Sequence, residues 1–77
     1  MINERSYRAK VQKLVRVFNK KYPSISDREM SLQITGGKDH TMIYRLFDGE
    51  RYPDLISGTL DRIRWFVIDY HKQMRVK

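Results

Sequence analysis

Between Glu4 and Tyr22 the apolar residues Tyr7, Val11, Leu14, Val15 and Phe18 recur three or four positions apart, the stripe of an amphipathic helix. Arg5, Arg8, Lys13, Arg16 and Lys20 occupy the remaining faces, where a solvated helix carries its charge. Pro23 disfavours helical geometry at Tyr22, so this helix should end there, giving a span of about 4–22. A second start signal follows. Ser26 is placed to cap with its hydroxyl, Glu29 to reach back to the cap, and Ile25 and Met30 to close as a hydrophobic staple.

That signal predicts a short helix over about 27–35, with Met30 and Ile34 inward and Gly36-Gly37 supplying the positive φ that stops it. Asp39 is then positioned to cap a third helix over about 39–48, with Ile43 and Leu46 inward and Gly49 at its end. A competing pattern makes "MIYRLF" and "ERYPDLI" two strands around an Asp-Gly turn, although apolar and polar positions do not alternate cleanly and Pro53 falls inside the second strand. Ser57 or Thr59 opens the last helix, about 58–75, with Leu60, Ile63, Val67, Tyr70 and Met74 on one side. Trp65 and Ile68 lie off that side. The reading is an all-α, single-domain chain of four to five helices.

Length sharpens this picture. A chain of 77 residues buries only about 60% or a little more of the surface its unfolded form exposes, so each apolar stripe is needed for the core. With no cysteine, neither a disulfide framework nor a thiolate metal site can supplement that core, and a reducing cytoplasm is the expected setting. No apolar run reaches the length that spans a bilayer, and "MINERSYRAK" has charges where a signal peptide needs its apolar region. The net charge of +7 is uneven: residues 1–22 hold seven Lys/Arg and one acid, residues 23–53 four and five, residues 54–77 five and three. Basic flanks thus surround a nearly neutral middle. Such an excess attracts polyanions by long-range attraction and counterion release.

Two short helices around a glycine turn, with the small Ser31 where they must approach, have the arithmetic of a helix-turn-helix. "SDREMSLQITG…TMIYRL" resembles the Cro/repressor class of helix-turn-helix regulators, the lambda-repressor-like superfamily of phages and bacterial chromosomes. "GERYPDLISGTLDRI" resembles the segment that follows in that class, where a Ser/Thr-Leu-x-x-Ile pattern opens the next helix. The resemblance covers about residues 26–63. It departs in the turn, where "TGGKD" is about two residues longer than the common pattern, and in having four apparent helices against the usual five.

The resemblance implies a small transcriptional regulator, of the phage-type repressor kind, that binds a double-stranded DNA operator. Under it, the outward N-terminal positions of the third helix, His40, Thr41, Tyr44 and Arg45, face the bases. Arg28, Lys38, Arg51 and Tyr52 are placed for phosphates. Trp65 and Ile68, left over from the core side of the last helix, are expected to join two copies into a homodimer, which implies an inverted-repeat operator. Two other classes stay open: a helical module that binds a host protein or toxin, and an RNA binder, since "SYR", "IYR", "RYP" and "RWF" interleave aromatics with arginine.

No enzyme is expected. His40 and His71 stand apart, without the pairing or nearby cysteine of a metal site. "GGKD" lacks the earlier glycine and the Ser/Thr of a phosphate-binding loop. No nucleophile has a base and orienting partner, so no catalytic residue, cofactor or small-molecule substrate is assigned. The first helix alone would suit a membrane surface, but using its stripe there would unmake the domain.

Overall fold

The structure, a computed structural model, describes residues 4–52 and 57–76. Its elements are α1 (Glu4–Lys21), α2 (Asp27–Thr35), α3 (Met42–Phe47) and α4 (Ser57–Val76), with no strand among the described residues. The hairpin reading therefore falls, since "MIYRLF" is α3 itself. Residues 53–56, which include Pro53, lie outside the described residues.

The helices form two pairs. The long α1 and α4 lie together, the short α2 and α3 lie together, and α3 also meets α1 while α2 meets α4. The core between them takes Val11, Val15 and Phe18 from α1, Met30 from α2, Met42, Ile43 and Leu46 from α3, and Leu60, Ile63 and Val67 from α4. Fully burying one such side chain is worth about 1.5–3 kcal/mol, so each helix is held chiefly by the stripe it contributes. At one end, Phe18, Tyr22 and Tyr70 pack with ring centroids 4.9–5.2 Å apart. Phe66 joins them at 6.0 Å from Phe18.

The caps of α2 are the expected ones. Ser26 Oγ accepts from the Glu29 amide at 3.1 Å, and Ile25 packs partly buried against the core. The reciprocal half of the capping box is replaced, because the Glu29 carboxylate accepts from Gln33 Nε2 at 3.1 Å. Gly36 and Gly37 have φ of 67° and 88°, and the Gly37 amide donates to the Leu32 carbonyl at 2.7 Å, which closes α2 in a Schellman turn.

Two expectations need correction. The third helix begins at Met42 and not at Asp39, because Asp39 Oδ1 accepts from the Thr41 amide and hydroxyl at 2.8 and 2.6 Å and so shapes a turn ahead of the helix. Met74 is 42% exposed despite sharing a side with Val67 and Tyr70. The first helix has already ended at Lys21, so α4 runs on past it toward Val76.

Candidate functional site

The α2–α3 pair is assembled by polar side chains as much as by apolar ones. Ser31, fully buried, donates to the Asp27 carbonyl at 2.8 Å and accepts from the Ile43 amide at 3.0 Å. A first-turn amide of α3, normally satisfied by that helix's own cap, is thus satisfied from α2. Thr41, at the cap position, makes no side-chain cap bond because its hydroxyl is turned toward Asp39. A larger residue at 31 would separate the helices, and an alanine there would leave the Ile43 amide without its acceptor.

The turn between them is pinned from α2 as well. Thr35 Oγ1 lies 2.8 Å from the Ser31 carbonyl and 3.1 Å from the Asp39 carbonyl, with one proton to donate between them, and accepts from the Asp39 amide at 3.0 Å. Asp39 Oδ2 forms an ion pair with Arg45. The carboxylate therefore ties the turn to the middle of α3.

The far end of α3 is held from α1. Arg8 donates through Nη2 to the Arg45 carbonyl at 2.7 Å, through Nε to the Leu46 carbonyl at 3.2 Å, and through Nη1 to the Tyr52 carbonyl at 2.6 Å. Gln12 Nε2 donates to the Leu46 carbonyl at 2.7 Å. A guanidinium at the C-terminal end of a helix meets both its unpaired carbonyls and the negative end of its dipole. One turn further along α1, the Arg16 guanidinium lies 4.8 Å from the centroid of the Phe47 ring.

With both ends fixed and Met42, Ile43 and Leu46 buried, Tyr44 is on the opposite side of α3 and is 68% exposed. His40 and Lys38 are exposed in the turn just before it, and Arg28 is exposed on α2. Thr41 is half-buried and bonded to Asp39. Arg45 is half-buried in its ion pair, 5.9 Å from the Tyr52 ring centroid, and its Nε is buried without a hydrogen-bond partner. Tyr52 is 43% exposed, with its carbonyl engaged by Arg8. Arg51 is exposed and its amide donates to Asp48 Oδ1 at 3.2 Å. His40, Lys38 and Tyr44 are thus exposed, while Thr41 and Arg45 are half-buried in contacts of their own.

Trp65 and Ile68 differ in exposure. Trp65 is 60% exposed with the Arg64 guanidinium 6.0 Å from its ring centroid, while Ile68 is half-buried toward α1. His71 is taken by the Tyr22 hydroxyl, 2.9 Å from Nδ1. Among the described residues, no group of three or more His, Cys, Asp or Glu is arranged to hold a metal ion, and no helix is long and apolar enough to cross a membrane.

Sequence reasoning missed Arg8 and Gln12, which periodicity puts on a solvent face, and the Asp39–Arg45 pair. The i, i+6 spacing of that pair carries no helical signal. Compared with known proteins, the chain matches no family model, no curated protein and no solved structure.

Proposed function

We propose that the chain is a small DNA-binding regulator in which α2, the turn and α3 act as a helix-turn-helix and α3 enters the major groove of double-stranded DNA. The observation that carries this is the direct seating of α3 on α2 through the Ser31–Ile43 bond, with Tyr44 exposed on the outer side of α3 and His40 and Lys38 exposed in the turn before it. A reading helix must be rigid on its inner side and open on its outer one. In this reading Tyr44 and His40 meet base edges, Thr41 meets a thymine methyl or a phosphate, and Lys38, Arg28, Arg51 and Tyr52 meet phosphates. Arg45 reaches a guanine by exchanging its ion pair with Asp39, a pair that leaves Nε unsatisfied in the free protein. Two copies, in contact through Trp65, bind an inverted repeat as a repressor-type dimer.

Selection from a random duplex library, followed by titration on the selected site, on single strands and on RNA at two salt concentrations, tests the reading. Duplex preference and a steep loss of affinity with salt are expected. Tyr44→Ala should lower the specific-to-nonspecific ratio by about 1–3 kcal/mol per lost base contact, whereas Lys38→Ala should weaken all sequences alike. Absence of any duplex preference, or affinity flat in salt, overturns it.

A further inference from the structure

A face of the molecule that DNA reading leaves unused carries a second site. At 100° per residue, the α1 side chains that reach α3, Arg8, Gln12 and Arg16, point away from those of Leu14 and Val17. On that other side α1 and α4 enclose a groove of 520 Å³ floored by Leu14, Val17, Phe18, Val67 and Ile68. A second depression of 360 Å³ shares Leu14 and continues the groove toward Tyr7, Lys10 and Arg64. Val17 is 57% exposed although it lines this apolar groove.

The rim decides the occupant. One end is bounded by Lys21, Lys72 and Arg75, the other by Lys10 and Arg64, and none of the described residues lining either depression is acidic. The Asp61 carboxylate, near Tyr7 at one end, is engaged by the Tyr7 hydroxyl. A second copy of the chain would set one cationic rim against another, because a twofold interface pairs a patch with itself, and like charges so opposed are costly. A bilayer is flat where this surface is concave. Nucleic acid phosphates need donors where this floor offers hydrocarbon. From Tyr7 to Tyr22 the groove follows α1 for about 22 Å, the length of about four helical turns.

We propose that the α1–α4 groove docks an amphipathic helix of a partner protein, one with an apolar stripe flanked by Asp and Glu. The stripe fills the groove at i, i+3, i+4 and i+7, and the acids meet the lysines and arginines at its two ends. The groove and the α3 edge lie on different sides of α1, so the domain can hold duplex DNA and such a partner together.

The test uses the full chain, isotope-labelled, titrated in NMR with a synthetic helical peptide of about four turns. The peptide carries leucines in one stripe and glutamates elsewhere, and a control carries lysines in place of the glutamates. The acidic peptide should shift resonances of Leu14, Val17 and Ile68, and the basic peptide should not. Val17→Glu, at an exposed position that leaves the melting curve intact, should weaken the acidic peptide about tenfold or more. Lys72→Glu should weaken it too and improve the basic peptide. Equal binding of both peptides, shifts that map elsewhere, or no effect of Val17→Glu overturns the proposal. So does self-association of the free chain that Val17→Glu abolishes, or binding to anionic vesicles that shifts the same resonances.

Discussion

The two helix pairs of this molecule are built on different physics. α1 and α4 are 18 and 20 residues long and meet through Val11, Val15, Leu60, Ile63 and the aromatic group around Phe18. α2 and α3 are 9 and 6 residues long, lengths at which an isolated helix in water does not persist. Their ends are secured by side chains from elsewhere: Ser31 at the start of α3, and Arg8 with Gln12 at its end. The long pair is thus a scaffold held by burial. The short pair buries Met30, Met42, Ile43 and Leu46 in the same core and adds directed bonds, which fix orientation in a way that apolar contact does not.

The largest effect expected comes from Leu60→Ala, which opens a cavity at a fully buried position of the shared core. A loss of about 2–5 kcal/mol is expected in denaturant unfolding, with α1 and α3 melting together. Arg8→Ala should act on the short pair alone. It removes charged donors from the Arg45, Leu46 and Tyr52 carbonyls at about 1.5–3 kcal/mol, and hydrogen exchange should rise at the amides of α3 while those of α4 stay protected. Equal loss of protection in α4 would erase the distinction between the pairs.

The smallest effect belongs to Tyr7, whose hydroxyl bonds Asp61 and adds one polar tie to the apolar pair. That bond, with a lesser share from burial, raises the phenol pKa above its usual value of 10.0 by favouring the neutral form. A group whose folded pKa is raised stabilises fully below the unfolded value and loses that contribution as pH climbs through the folded one. Tyr7→Phe should therefore cost at most about 0.5–1 kcal/mol at neutral pH, with the difference in melting temperature closing above pH 10.

Much of the scaffold was legible because local rules and burial agree there. The apolar spacing in α1 puts Val11, Val15 and Phe18 inside, Pro23 ends the helix, Ser26 caps α2, and Gly36 takes the left-handed conformation its position demands. Ser31 was legible as a small residue but not as a hydrogen-bond bridge. The start of α3 was misread because Asp39 suits a cap equally well as a turn, and only the tertiary partners of its carboxylate, Thr41 and Arg45, distinguish the two. Arg8 was unreadable for a related reason. Its spacing is that of a solvated face, and its acceptors lie in a part of the chain that no local window contains. Of the candidate site, the exposure of Tyr44, His40, Lys38 and Arg28 agrees with their expected outward positions, while the ion pair that occupies Arg45 does not follow from any periodicity.

The Arg8 fork also sets an order of events. Its three acceptors lie 37, 38 and 44 residues along the chain, so each bond requires a long loop to close before it yields anything. The amide that Ser31 accepts is only 12 residues away. α2 and the start of α3 can therefore come together early, as a local unit, while the last turn of α3 stays frayed until α1 has swung across it. In a refolding experiment the two ends of a six-residue helix would then acquire their protection at different times, the N-terminal end with α2 and the C-terminal end with the closing of the whole domain.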